Sequence, residues 1–94
     1  MLRVAICEDV LSELQKQTQI IQSIMARLSK NVKFLCFRSG EELLMETDTT
    51  GNMDIVFLDV EMPKMSGFDL WQSIRADVHA DMRVVFYTAY DKYV

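Results

Sequence analysis

The chain has 94 residues with a net charge of −4, and half of its residues are hydrophobic. A chain of this length forms one compact domain with a small core. The acidic balance argues against nucleic acid as the partner of this segment and suits a metal ion or a cationic partner. The single histidine, His79, excludes a histidine-based zinc site and a Ser–His–Asp triad.

The amino-terminal sequence MLRVAICEDV lacks the apolar region and the cleavage site of a signal peptide. No apolar run approaches the length of a membrane span. We therefore expect a cytoplasmic protein without membrane contact. Cys7 and Cys36 lie inside apolar runs, which predicts two buried free thiols rather than a disulfide.

Short apolar runs alternate along the chain with helical patterns. Strands are predicted at residues 3–7, 32–37, 54–58 and 83–87. The first predicted helix spans residues 10–29, with an apolar stripe at helical spacing. A short second helix, at about residues 41–46, follows the capping box Ser39-Gly40-Glu41-Glu42, and a polar turn follows it at residues 47–52. The third begins at Ser66 and carries on one face Leu70, Trp71, Ile74 and Val78.

The resulting order, β-α-β-α-β-α-β, predicts an α/β fold with a parallel sheet, right-handed crossovers and helices on both faces. The third strand is apolar on both faces, as a central strand of a parallel sheet must be. In such sheets, ligands bind outside the carboxyl ends of the strands, near the switch point in strand order. The residues that directly follow each strand are therefore the first candidates for a functional site.

Acidic and hydroxyl side chains follow three of the four strands. Glu8 and Asp9 come after the first strand, Asp59 and Glu61 after the third, and Thr88 after the fourth. Carboxylates gathered at one edge repel one another, and a hard divalent cation such as Mg²⁺ removes that conflict. Asp59 could then attack phosphorus and form an aspartyl phosphate, with Thr88 donating a hydrogen bond to a phosphoryl oxygen.

Each of these residues also has a purely structural interpretation. Asp9 or Ser12 could cap the following helix, and Thr88 alone is more often an ordinary loop hydroxyl. Asp59 is harder to explain in this way, because a wholly apolar strand rarely ends in a charge without a reason. The presence of all three groups at the same end of the sheet favours a functional acidic pocket.

Three segments, ICED, IVFLDVEMPKMSGFDLWQSIR and VVFYTAYDKYV, resemble the receiver domain of two-component response regulators. The resemblance covers the whole chain in order, and its strongest element is the DxxMPxxxG pattern formed by Asp59, Met62, Pro63 and Gly67. The sequence around this pattern and after the fourth strand is similar to receivers attached to LytTR-type DNA-binding domains.

This resemblance implies a flavodoxin-like three-layer fold with strand order 2-1-3-4-5, of which this chain contains the first four strands. It implies that Asp59 is the phosphoacceptor, Thr88 the switch hydroxyl, and Asp9 the principal carboxylate for Mg²⁺ with Glu8 beside it. Glu61 is implied to offer its backbone carbonyl to the metal. The implied partner is the phosphohistidine of a sensor kinase, and the implied output is transcription regulation by a domain outside this chain. Such a receiver is a signalling module rather than an enzyme.

One departure concerns the carboxyl-terminal part of the pattern. Receivers carry a lysine and a switch aromatic on a fifth strand, whereas this chain stops at Val94, so residues 1–94 are predicted to form an incomplete receiver domain. The fourth strand, apolar on both faces, would then be an exposed edge with unpaired backbone groups. We therefore predict a homodimer or an exchange of elements through this strand.

Two other functions remain open on the sequence. Without the lysine, the domain could be a binding module that no longer accepts phosphate and acts by dimerising. Alternatively, the sequence Asp59-Val60-Glu61 loosely resembles the start of a metal-dependent phosphatase motif that uses an aspartyl phosphate. The second alternative is weaker, because the chain has no cap or substrate loop.

Overall fold

A computed structural model gives the fold and describes residues 1–28, 31–50, 53–62, 66, 69, 72 and 82–88, with backbone alone at 48–50. The described helices and strands are, in chain order, β1 (Leu2–Cys7), α1 (Leu11–Leu28), β2 (Val32–Phe37), α2 (Gly40–Thr50), β3 (Ile55–Asp59) and β4 (Arg83–Tyr87). Of the third predicted helix, residues 66, 69 and 72 are described, and the Ser66 hydroxyl accepts a hydrogen bond from the Asp69 N–H at 3.2 Å. The predicted apolar face of that helix, at Leu70, Trp71, Ile74 and Val78, lies outside the described residues, as do Pro63, Gly67 and residues 91–94.

The four strands form one parallel sheet in the order β2-β1-β3-β4. This confirms the predicted flavodoxin-like arrangement for the strands that the structure describes. The chain adds β2 on one side of β1 and β3 on the other, so the switch point in strand order lies between β1 and β3. The carboxyl ends of these two strands therefore flank the crevice in which open α/β sheets bind ligands.

Alternating side chains of the central strands supply two separate apolar layers. Val4 and Ile6 of β1 are fully buried against α1, while Ala5 and Cys7 are fully buried on the opposite face with Leu43 of α2. Because the side chains of a strand alternate between the faces of the sheet, both faces of β1 are covered by helices. This is the three-layer arrangement that the β-α-β pattern predicts.

Helix α1 uses only part of its apolar stripe in the core. Leu14, Ile21 and Met25 are buried, whereas Ile24 and Leu28 are 54% and 74% exposed. The 18 residues of α1 span about 27 Å, while the six of β1 span about 20 Å. The last turn of the helix therefore extends past the amino end of the strand, and Leu28 lies outside the core.

Helix α2 is longer than predicted, since it continues to Thr50 instead of ending near Glu46. Thr47, predicted to lie in a polar turn, is only 3% exposed, and its hydroxyl donates to the Leu44 carbonyl at 2.9 Å. A threonine whose hydroxyl bonds to the preceding turn can lie inside a helix without losing a hydrogen bond. Burial of this residue therefore outweighs the low helix propensity of the threonine-rich sequence.

The amino terminus of α2 is capped partly as predicted. The Ser39 hydroxyl accepts the Glu42 N–H at 3.2 Å, which is the serine half of the capping box. The Glu42 carboxylate accepts the N–H of Arg38 at 2.9 Å rather than that of Ser39. The first turn of α2 is therefore hydrogen-bonded to Arg38, the residue just before the cap residue Ser39.

The two cysteines lie in different environments. Cys7 is buried, as predicted. The prediction that Cys36 is also buried is wrong, because Cys36 is exposed. Cys36 lies on β2, which pairs only with β1 among the described strands and therefore forms an edge of the sheet. Within the described part of the chain, neither helix is sufficiently long and apolar to cross a membrane.

Candidate functional site

Three carboxylates meet at the carboxyl ends of β1 and β3. One ligand oxygen from each of Glu8, Asp9 and Asp59 can be chosen so that all three lie within 4.8 Å of one another. Glu8 and Asp59 are fully buried, and Asp9 is half-buried. Charges this close and this far from solvent repel one another strongly unless a proton or a cation compensates them.

Val10 and Tyr87 both donate hydrogen bonds to the Glu8 side chain. Its Oε1 accepts the N–H of Val10 at 3.1 Å, which closes a tight turn between β1 and α1. Its Oε2 accepts the hydroxyl of Tyr87 at 3.1 Å, a contact between residues 79 positions apart in the chain. The carboxylate is therefore fixed from its own loop and from the end of β4.

Asp59 is the last residue of β3, and its Oδ1 accepts the N–H of Glu61 at 3.0 Å. The next residue, Val60, donates its N–H to the carbonyl of Tyr87 at 3.0 Å. These two bonds fix the start of the loop that follows β3. Glu61 thus lies beside Asp59 through its N–H, and the role of its carbonyl as a metal ligand stays a prediction.

Arg38, directly after β2, fixes the backbone of the β1–α1 loop. Its guanidinium donates to the Asp9 carbonyl from Nε at 3.3 Å and from Nη2 at 3.0 Å. The planar guanidinium presents both donors to one acceptor, which defines its geometry more closely than a single bond does. The position of the Asp9 backbone is therefore set by a residue 29 positions away.

Met62 of the DxxM pattern folds back onto the end of β1. Its Sδ lies 3.8 Å from the Cys7 Sγ, and both side chains are buried. Burial, together with the negative charge of nearby acidic groups led by Glu42 and Glu8, raises the pKa of Cys7 to about 12. The thiol therefore stays protonated at neutral pH and acts as a small apolar group under the acidic pocket.

Thr88 follows β4 directly, one residue after the Tyr87 carbonyl that binds the loop beside Asp59. Its hydroxyl oxygen is buried and has no hydrogen-bond partner among the residues that the structure describes. A buried hydroxyl without a partner costs free energy, so it is rare unless a ligand completes it.

Tyr87 is half-buried at the end of β4. Burial, followed by the negative charge of Glu8, raises the pKa of its phenol well above the ordinary value. The hydroxyl is therefore protonated at neutral pH and donates to the Glu8 carboxylate. Its oxygen also lies 3.5 Å from the Cys7 carbonyl, at the limit of hydrogen bonding.

This donor set fits Mg²⁺, which prefers oxygen ligands and binds through one or two carboxylates together with the oxygens of a phosphate group. The cluster offers carboxylate oxygens only, two of its three members are fully buried, and an unpartnered hydroxyl lies at the end of the neighbouring strand in the described part of the chain. A divalent cation would compensate the clustered charge, and a phosphoryl oxygen bound nearby could accept a hydrogen bond from the hydroxyl. The arrangement is suited to phosphoryl transfer to a carboxylate.

The structure thus brings together three of the residues singled out in the sequence, Glu8, Asp9 and Asp59, and places Thr88 at the end of the adjacent strand. Sequence reasoning missed Tyr87 and Arg38. Arg38 directly follows β2, so extending the inspection of strand ends to that strand would have found it. The contact of Tyr87 with Glu8 depends on register across three strands and has no local signal.

A family model described as "Response regulator receiver domain" matches residues 4–94. Two curated relatives are similar over most of this chain. Chemotaxis protein CheV2 of Helicobacter pylori is 34% identical over 77 residues, covering 79% of this chain and 23% of its own length. The probable transcriptional regulator ycf27 of Cyanidium caldarium is 35% identical over 71 residues, covering 76% of this chain and 26% of its own. The chain therefore spans about a quarter of the length of these relatives.

Among solved structures, the response regulator TrrA of Thermotoga maritima in complex with Mg²⁺ and BeF is similar, with a TM-score of 0.77 and 28% identity. The similarity covers 99% of this chain and 74% of that one. A structure of histidine kinase ThkA in complex with TrrA matches with a TM-score of 0.74 and 28% identity, over 99% of this chain and 73% of that one.

Proposed function

Because the chain belongs to the response regulator receiver domain family, we propose that Asp59 accepts a phosphoryl group from the phosphohistidine of a sensor histidine kinase. The observation that carries this proposal is the position of Asp59, fully buried at the end of β3 and clustered with Glu8 and Asp9. The structure of ThkA with TrrA supports a kinase as the partner, since it shows such a pair for a similar protein.

In the proposed step, an Asp59 carboxylate oxygen attacks phosphorus while the bond between phosphorus and the imidazole nitrogen breaks. The electron pair of that bond passes to the nitrogen, and the product is an aspartyl phosphate. The hydrogen bond from the Glu61 N–H to Oδ1 holds the carboxylate in one orientation during the attack. The transfer is stoichiometric, so the domain acts as a signalling receiver and not as an enzyme with turnover.

Asp9, Asp59 and the backbone carbonyl of Glu61 are the groups that we assign to Mg²⁺, with Glu8 beside them. The cation supplies positive charge that allows an anionic carboxylate and an anionic phosphoryl group to approach each other. The complex of TrrA with Mg²⁺ and BeF supports this assignment by similarity.

We assign the Thr88 hydroxyl as the donor to a phosphoryl oxygen on Asp59, and its lack of a partner among the described residues supports this role. Formation of that bond would draw the end of β4 toward Asp59 and so report phosphorylation to the surface of the domain. By analogy with ycf27, described as a probable transcriptional regulator, the output we propose is transcription regulation. In this proposal residues 1–94 act as one receiver domain in the cytoplasm, without binding membrane or nucleic acid themselves.

Fluorine NMR of the purified chain with Mg²⁺ and beryllofluoride, a phosphoryl mimic, tests this proposal. We expect a bound fluorine signal that requires Mg²⁺ and is absent in Asp59→Asn. Asp54→Asn is the matched control, because it makes the same change at the opposite end of β3, away from the acidic cluster. This variant should retain the signal. A folded wild-type chain without a bound signal, or a signal that survives Asp59→Asn, would refute the assignment.

A second function is favoured by the surface of β4. This strand pairs only with β3 among the described strands, and Val85 on it is 43% exposed. We propose that a second copy of the chain pairs with or exchanges elements at this edge, forming a dimer. Light scattering on a concentrated sample tests the proposal. A dimer that ignores Mg²⁺ and beryllofluoride would favour an interaction module that does not accept phosphate, and a monomer would exclude the dimer.

A further inference from the structure

Tyr87 connects the carboxyl end of β4, next to Thr88, to the cluster of Glu8, Asp9 and Asp59. In the register of the sheet, Tyr87 of β4 lies opposite Asp59 of β3, and Cys7, which precedes Glu8, lies opposite Leu58. Glu8 directly follows β1, so it lies beside the row formed by Asp59 of β3 and Tyr87 of β4. Side chains in one row of a parallel sheet point to the same face. The Tyr87 side chain crosses this row and reaches the far carboxylate.

The hydrogen bond from Tyr87 ends on a carboxylate that is fully buried. The hydroxyl lies 3.1 Å from the Glu8 Oε2, while the backbone of Val10 holds Oε1 from the other side. A buried carboxylate held by two donors has a fixed orientation, and groups of this kind around metal sites control how tightly the metal binds. An apolar side chain at position 87 would fill the same space without holding Glu8.

We infer that Tyr87 is a positioning residue, which holds Glu8 in the geometry that Mg²⁺ binding needs and ties the end of β4 to the metal site. This inference rests on the proposed function, because it assigns a role toward the cation of that site. Tyr87 acts through Glu8 and does not itself contact the reacting atoms. Since Thr88 is the next residue, occupation of the metal site and the position of the switch hydroxyl become linked through one side chain.

Calorimetric titration of Mg²⁺ into wild type, Tyr87→Phe, Glu8→Gln and the double variant tests the inference. Tyr87→Phe keeps the ring and removes only the hydroxyl, so it separates positioning from packing. We expect Tyr87→Phe to weaken Mg²⁺ binding about tenfold, the size of effect typical for groups that orient metal ligands. In the Glu8→Gln background, the same change should weaken binding by less than about twofold, because the orienting contact acts through the carboxylate.

A spectroscopic measurement tests the link to β4. In wild type, Mg²⁺ should shift the backbone amide signal of Thr88 in nitrogen–proton NMR spectra. In Tyr87→Phe at saturating Mg²⁺, that shift should be lost, while the signal of Asp59 still moves. A residue that only packs against the sheet would leave the Thr88 response intact.

The outcomes separate this inference from the proposed function. If wild type does not bind Mg²⁺, the metal assignment fails and the inference fails with it. If wild type binds and Tyr87→Phe binds equally well, the inference alone is overturned. An equal loss of affinity on Tyr87→Phe with and without the Glu8→Gln change would also overturn it, since it would show an effect that does not pass through the Glu8 carboxylate.

Discussion

Two aspartates stand at opposite ends of β3 and have opposite surroundings. Asp54, just before the strand, is exposed, and its Oδ2 accepts the Arg3 N–H at 2.7 Å. Its backbone also bonds to Arg3 and Arg83, so Asp54 joins the amino ends of three strands. Asp59, the last residue of the strand, is fully buried and lies within 4.8 Å of two other carboxylates.

The two ends of β3 thus differ in how a carboxylate is used. At the amino end, one carboxylate satisfies a backbone donor in contact with solvent, which is a favourable charge-assisted bond. At the carboxyl end, three carboxylates lie close together and two of them are fully buried, which is unfavourable unless positive charge or a proton compensates them. The same residue type thus joins neighbouring strands at one end of β3 and belongs to a cluster of like charges at the other.

The largest effect that we expect concerns Mg²⁺ and Asp9. At a concentration 100 times its dissociation constant, Mg²⁺ should raise the free energy of unfolding of wild type by about 2.7 kcal/mol. Removing the charge in Asp9→Asn should weaken binding about 100-fold, so that the gain at the same concentration falls to about 0.4 kcal/mol. Urea unfolding with and without Mg²⁺ measures both values. An undiminished gain in Asp9→Asn would show that Asp9 is not a ligand, and Asp54→Asn should keep the full gain.

Identical substitutions at the two ends of β3 should change stability in opposite directions. Without divalent cations, Asp59→Asn should raise the free energy of unfolding by about 1–2 kcal/mol, because it removes one charge from a buried cluster. Asp54→Asn should lower it by about 0.5–1 kcal/mol, because a charge-assisted hydrogen bond becomes a neutral one. Chemical denaturation of both variants in chelating buffer decides this. A loss of stability in both would mean that the clustered charge is already compensated without a cation.

The raised pKa of Cys7, at the carboxyl end of β1, predicts that the free energy of unfolding depends on pH. Its thiol has a pKa of about 12 in the folded chain against 9.0 as the ordinary value, so the unfolded chain loses this proton first. The contribution of the protonated Cys7 thiol to the free energy of unfolding is therefore complete below pH 9, and it is lost as the pH rises from 9 toward 12. Between about pH 9 and pH 10, the loss amounts to about 1 kcal/mol.

Urea unfolding at about pH 9 and about pH 10 tests this dependence. Cys7→Ala should lose about 1 kcal/mol less than wild type over this interval, because it lacks the titrating thiol. Cys36→Ala, at the exposed cysteine, should keep the wild-type slope. Equal slopes in all three proteins would contradict the assignment of this pH dependence to Cys7.

The smallest effect distinguishes two threonines. Thr47→Val should lower the free energy of unfolding by about 1 kcal/mol, because its buried hydroxyl bonds to the Leu44 carbonyl. Thr88→Val, which removes a buried hydroxyl without a described partner, should leave the stability of the cation-free chain unchanged or raise it by about 0.5 kcal/mol. Thermal unfolding of the two variants and the wild type measures these changes in stability. A loss at Thr88 as large as that at Thr47 would show that its hydroxyl already bonds within the domain.

Much of the fold follows from local pattern. The apolar run of β3 and the alternation of strands with helices predict the parallel sheet, because a central strand must be apolar on both faces. The convergence of Glu8, Asp9 and Asp59 follows as well, since the carboxyl ends of parallel strands meet at one edge. The end of α2 does not follow, because the burial of Thr47 depends on what packs against the helix.

Sequence pattern alone predicts the order of strands and helices along the chain and the meeting of Glu8, Asp9 and Asp59, because both depend on periodicity and on the geometry of parallel strands. The hydrogen bonds that hold each Glu8 oxygen, and the bond from Arg38 to the Asp9 carbonyl, appear only in the folded structure. The contacts made by Tyr87 and Arg38 join residues 79 and 29 positions apart, and neither side chain has a neighbour in the sequence that signals the pairing. Register across the sheet creates them, and register is a property of the assembled strands.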